Sequence, residues 1–281
     1  MLAASMVRFR RLLPSTMRLA FEAPVNLLAL PPVRIIASTP PVPALTSNPT
    51  HAEYRSDGVG PVTSVGQHAR ADADYAEQMT WVTVLGVIAL IAVVVALGTL
   101  IYLHIAPTGL SPVVNAISQY GSTRFSLGYR IVTIALGVSG LAIAVGVSFG
   151  LPNQSTGLWV ISLVVFGVAR LIISWFVLDA PGDSRTMSGR NHDIISLITF
   201  VAMTTAAFLA EGPLAAEASW SSLAPVSVSL GSAMGVFTVA ALVFALVPRL
   251  RRIFGIAERL LYAAVIAWLA VFAIACITHT R

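Results

Sequence analysis

Apolar and polar positions divide this chain into two unlike parts. From Trp81 onward, long apolar runs alternate with short polar breaks, and six runs reach the length of a bilayer crossing: about 81–103, 131–150, 158–178, 194–210, 229–247 and 260–278. A hydrocarbon core of roughly 30 Å takes about 20 apolar residues as helix. Backbone amides in lipid must be paired within the protein, which continuous runs of this length achieve as helices. The alternation of barrel strands is absent. The breaks carry turn residues: Pro107 and Gly109, Pro152 and Asn153, Pro181 and Gly182, Gly212 and Pro213, Pro225, Pro248. The pattern predicts an all-α, polytopic membrane protein, a six-transmembrane-helix bundle over residues 79–281.

Residues 1–78 read differently. They begin with Arg8, Arg10, Arg11 and Arg18 and no nearby acid, continue through Pro24, Pro31, Pro32, Pro40, Pro41, Pro43 and Pro49, and end in a polar, acidic stretch from Glu53 to Glu77. No periodic apolar face runs through them, so a disordered N-terminal tail is expected. The basic start also has the composition of a presequence. Met79, directly before the first run, offers an alternative start.

Composition sharpens this picture. The chain is 57% hydrophobic and 10% charged, against roughly 25% charged for a soluble domain, which excludes an ordinary soluble fold. All 17 cationic residues are arginine. The single cysteine, Cys276, excludes an intrachain disulfide. Nothing supports nucleic-acid binding, and no phosphate-cradling glycine loop, nucleophile elbow or HExxH is present. No cofactor is implied, and oligomeric state is left open.

The placement of arginines predicts orientation. Breaks one, three and five hold Arg124 and Arg130, then Arg185 and Arg190, then Arg249, Arg251, Arg252 and Arg259, whereas breaks two and four hold none. Short loops rich in arginine stay in the cytoplasm. Loops 104–130, 179–193 and 248–259 are therefore expected there, with both chain ends outside.

Charges inside apolar runs are the best clue to chemistry, because they are costly and face a bundle interior or a cavity. Arg170 lies about 12 Å before the expected helix end at Leu178 and shares a helical face with Ser162, Phe166 and Ser174. Snorkelling to the interface is the competing reading. His192 opens a second polar face through Ser196, Thr199 and Met203; Arg130 opens a third through Thr133, Gly137 and Gly140; Arg259 precedes Tyr262 on the sixth run. A shared inward-facing site is expected from Arg130, Arg170, Asp179, His192 and Arg259. In it Arg170 pairs with polar groups of spans two or four, and Asp179 with Arg130 or Arg259. Two weaker readings are mixed metal ligation by Asp179, Asp183, His192 and Asp193 and bis-histidine haem ligation by His104 and His192. Gly146 with Gly150 and Gly231 with Gly235 have the spacing for close helix packing inside the bundle.

The run PVVNAISQYG holding Pro112, Asn115, Ser118 and Tyr120, then Arg170, Asp179 with Pro181 and Gly182, Gly189 with His192, and Gly255, Glu258, Arg259 and Trp268 follow one another in an order that resembles the bacterial six-helix family called domain of unknown function 998. The resemblance covers roughly residues 80–278 and implies a six-span fold in a bacterial cell membrane. It implies no activity. The family's phenylalanine–proline pair before the aspartate is replaced here by Val177 and Leu178.

Two functional expectations follow. In the first, the polar cluster, with Asn115 and Ser118, binds or moves an anionic small molecule or lipid headgroup, which arginine's planar fork suits. In the second, Asp179 and His192 are acid–base groups of a lipid-modifying enzyme. A structural or accessory role in the bilayer is the plain alternative.

Overall fold

The computed structural model describes residues 62–151, 157–176, 178, 179, 184 and 186–278. They form seven α-helices: α1 (Val62–Ile105), α2 (Ser126–Gly150), α3 (Leu158–Ile173), α4 (Met187–Leu209), the short α5 (Glu211–Ala216), α6 (Leu223–Leu246) and α7 (Phe254–Thr278). No strand occurs among the described residues. Stretches of α1, α2, α4 with α5, α6 and α7 are long and apolar enough to cross a membrane, and α3 is a shorter apolar helix of 16 residues.

Two boundaries differ from expectation. Helix α1 starts at Val62, so residues 62–78 of the expected tail continue the first helix, whose candidate span begins at Ala73. The rest of the expected tail lies outside the described residues. Helix α3 stops at Ile173, not near 178. The amides of Trp175 and Phe176 bond back to Ile172 and Ile173, both at 3.1 Å, and the Ser174 hydroxyl takes the Leu171 carbonyl. These short-range bonds tighten the last turn and end the helix. At 1.5 Å per residue α3 spans about 24 Å.

The long helices close a ring in which α1, α2, α3, α4, α6 and α7 each pack on two neighbours, with α2 also touching α7 across it. Small residues set the crossings. A Cβ on Gly137 of α2 would stand 2.8 Å from the Gly167 carbonyl of α3, and one on Gly167 2.6 Å from Leu141. Those backbones approach as closely as they do because neither residue has a side chain. Buried aromatic residues fill the interior, with Trp268 stacked on Phe272 at 3.8 Å.

Helix α6 is held on one half only. Its buried residues, Ala224, Ser227, Gly231 and Met234, all lie in its first half. There the Ser227 hydroxyl donates to the Ala207 carbonyl of α4 and accepts from Trp268 Nε1 of α7. A Cβ on Gly231 would meet the Ala207 methyl at 3.1 Å. The expected glycine pairs thus face other helices of the bundle: Gly146 lies against Cys276 and Leu85, and Gly150 against Trp220. Beyond Gly235 no residue of α6 is buried, and α4 and α6 part toward the arginine-rich end.

Candidate functional site

That end is organised by the connection between α1 and α2. Asn115 braces it, accepting from the Ser111 amide and donating to Gln119, and residues Ile117–Ser122 form a 3-10 turn. The turn is pinned to α7 because the Ile117 amide donates to Glu258 Oε2 at 2.6 Å. Gly255 makes the seat: a Cβ there would lie 2.5 Å from the Pro112 carbonyl and 2.7 Å from that of Asn115. Arg259 fastens the same seam. Its Nε donates to His104 Nε2 at 2.7 Å, Nη1 to the carbonyls of Asn115 and Gly255, and Nη2 to the Tyr120 hydroxyl.

Arg170 occupies the last turn of α3 and is 1% exposed. A guanidinium this deep in a bundle needs partners that do not demand water. Nη1 donates to the Tyr262 hydroxyl of α7 at 2.8 Å. Three rings surround the charge, those of Tyr262, Phe200 and Phe166, with centroids 4.7, 5.1 and 5.8 Å from Cζ, within the range of cation–π attraction. Its hydrogen-bond partner therefore comes from the sixth apolar run, not from the second or fourth as expected. Snorkelling is excluded by its burial.

His192 is 2% exposed and sends Nδ1 to the Phe176 carbonyl at 3.0 Å, with the Tyr129 ring 6.2 Å away. Asp179 accepts from the Thr186 amide and hydroxyl, while Thr186 caps α4 by accepting from the Gly189 amide. The expected pairing of Asp179 with Arg130 or Arg259 does not form. Arg130 is exposed, and Arg259 is committed to the seam. Asp179 and His192 share no hydrogen bond and make no acid–base pair. His104 has both ring nitrogens engaged, by the Leu100 carbonyl and by Arg259, which removes the bis-histidine haem reading. Asp183 of the metal reading lies outside the described residues.

The predicted site residues thus divide. Arg170, with Tyr129, His192, Tyr262 and Glu258 in its electrostatic reach, forms one buried polar centre. Arg259 belongs to the seam beside it, Asp179 to the start of α4, and Arg130 to the rim. Asn115, Ser118 and His192 line a cavity of about 660 Å³ where α4 and α6 separate. Its walls are apolar, with Leu197 and Leu242 on opposite sides, each about half exposed. Its lining includes the buried Glu258 and the exposed Arg251.

Glu258 is the residue the sequence reading missed. A sixth run over 260–278 leaves Glu258 in the preceding loop, and only the family-like motif includes it. The short 3-10 turn Arg251–Ile253 starts α7 at Phe254 instead, and Glu258 becomes a helical residue 6% exposed. The signal available was its place four residues before Tyr262, on one helical face.

Long apolar helices ringing a buried polar centre define a helical membrane protein. The family model described as "Protein of unknown function (DUF998)" matches residues 79–275. The chain belongs to that family. No curated protein and no solved structure matches it.

Proposed function

We propose that the protein binds a membrane lipid in the cavity between α4 and α6, its acyl part along the apolar walls and its anionic headgroup toward the arginine-rich end. The observation that carries this reading is the cavity itself, apolar at its flanks and polar at one end. A binding site of this kind holds few polar groups placed to fix orientation. Arg251 lines the cavity, and Arg170 and Arg259 stand within electrostatic reach of Glu258. These three guanidiniums outnumber the carboxylates of Glu258 and Asp193 that line the cavity, which leaves room for one anionic group. Asn115, Ser118 and His192 are the contact residues in this reading, and Arg170 and Arg259 act from behind the wall. The arginine asymmetry supports a cytoplasmic position for this end.

Native mass spectrometry of protein released from lipid nanodiscs tests the reading. Bound phospholipid is expected on the wild type and on Val239→Trp, which alters an exposed position of α6 outside the cavity. It is expected to be lost from Ala241→Trp, which fills the cavity. Equal lipid on all three proteins, or none on any, would overturn it.

A further inference from the structure

Besides the Thr238 hydroxyl, which can donate or accept, the unmatched polar atoms of the cavity lining are acceptors. Glu258 uses Oε2 for the Ile117 amide, and among the described residues Oε1 has no hydrogen-bond partner and no cation within ion-pair distance. His192 is the second case. The Phe176 carbonyl can only accept, so Nδ1 carries the proton in that contact. In the neutral ring Nε2 is then a lone-pair acceptor, and it is buried without a partner among the described residues. Both side chains line the same cavity, and both are more than nine-tenths buried. Buried acceptors left unmatched are costly, and a ligand that supplies donors removes that cost.

The donors of Arg259 are directed elsewhere, and those of Arg170, of which Nε and Nη2 have no partner among the described residues, lie outside the cavity lining. Arg259 sends its N–H groups to His104, Asn115, Gly255 and Tyr120. Arg170 does not line the cavity and is enclosed by rings. Arg251 donates Nε to the Ala245 carbonyl, leaving the outer edge of its guanidinium for an anion. The cavity lining therefore holds one exposed cation, Arg251, one exposed carboxylate, Asp193, and two buried acceptors, with the guanidiniums of Arg170 and Arg259 near enough to act on the Glu258 charge. A ligand ammonium would find the carboxylates of Glu258 and Asp193 in the lining but would also face the three guanidiniums, whereas hydroxyl groups satisfy the acceptors without that repulsion.

Resting on the lipid-binding reading, we infer that the headgroup is a phosphate diester bearing free hydroxyls, a polyol phospholipid. The phosphate lies toward Arg251, and the hydroxyls donate to Glu258 Oε1 and His192 Nε2.

The test uses the full chain in nanodiscs of choline phospholipid, titrated with two lipids of equal charge: phosphatidylglycerol, with two hydroxyls, and phosphatidylmethanol, with none. Occupancy is read by native mass spectrometry. Phosphatidylglycerol is expected to bind about tenfold more tightly or better, the worth of one charge-assisted hydrogen bond and one neutral one. Glu258→Gln keeps an acceptor for the Ile117 amide and is expected to narrow the preference to about threefold or less. Phosphatidylethanolamine, which offers ammonium donors, is expected to bind more weakly than phosphatidylglycerol. Equal binding of phosphatidylglycerol and phosphatidylmethanol by the wild type would overturn the inference while leaving lipid binding intact. A stronger grip on phosphatidylethanolamine would overturn it in favour of an amine. Absence of any lipid would remove the parent reading instead.

Discussion

The Arg170 guanidinium and the Tyr262 hydroxyl, ninety-two residues apart, meet at 2.8 Å in the interior of the bundle. This bond joins α3 to α7, which are not neighbours in the helix ring, and Tyr262 also presents its ring edge-on to Phe200 of α4, with centroids 5.9 Å apart. One arginine therefore links α3 to α7 and lies among rings from α3, α4 and α7.

Tyr262→Phe keeps the ring and removes the acceptor. It is expected to destabilise the protein by about 1.5–3 kcal/mol, the range for hydrogen bonds to charged groups. Arg170→Lys is expected to be no milder, because an ammonium lacks the planar face that the three rings enclose. Thermal unfolding in mild detergent checks both. A wild-type melting temperature for either variant would contradict this account.

Glu258 holds the turn Ile117–Ser122 against α7 by one hydrogen bond. Glu258→Ala is expected to loosen residues 106–125, seen as faster amide hydrogen exchange there, with α2 unchanged. Glu258→Gln, which retains a carbonyl acceptor, is expected to keep wild-type protection. Protection lost equally in both variants would show that charge, not the hydrogen bond, fastens the turn.

His104 and Arg259 form a single unit in which the imidazole accepts from the guanidinium at 2.7 Å. Replacing either by alanine is expected to cost nearly as much as replacing both. The coupling energy expected from a double-mutant cycle is about 1–3 kcal/mol, measured by denaturant or thermal unfolding. Additive losses would mean that the contact contributes nothing to stability.

Gly231 sets the approach of α6 to α4. Gly231→Leu is expected to force the helices apart and cost about 1–3 kcal/mol as an overpacking change. Gly235→Ala should be nearly neutral, since a Cβ there meets only the Thr204 methyl, at 3.7 Å. Unfolding of the two variants side by side decides it.

Orientation is open to direct measurement. In a Cys276→Ala background, cysteine at Ser219 is expected to react with an impermeant reagent from outside, and cysteine at Ser184 only after the membrane is opened. The reverse pattern would invert the assignment.

Much of the helical architecture was legible because apolar runs of bilayer length have few alternatives. The inward faces were legible for the same reason: Arg170, His192, Thr133 and Thr199 are all buried, as polar residues in apolar runs should be. Spacing along one helix says nothing about which helix lies opposite, so Tyr262 as the partner of Arg170 could not be read from it. Local chemistry was also hard to foresee. The bonds that end α3 at Ile173 are made within three residues by Ser174, Trp175 and Phe176, residue types that give no stop signal inside an apolar run, and they place Arg170 in the last turn rather than deep in a longer span. Asp179 looked like an ion-pair partner because arginines lie near it in sequence, yet the nearest amide and hydroxyl, both on Thr186, engage it. The cavity has no sequence signature, since it arises from where α6 ceases to touch α4.

The half-attached α6 carries a consequence for exchange. Its free half and the facing part of α4 belong to helices long and apolar enough to cross a membrane, so a gap between them would open sideways, toward hydrocarbon. Drawing an acyl chain through water costs about 0.8 kcal/mol per methylene, or roughly 13 kcal/mol for a sixteen-carbon chain. A molecule entering from the flank never meets that barrier. On the proposed lipid-binding reading, its residence time would then be set by the grip of the headgroup rather than by solubility.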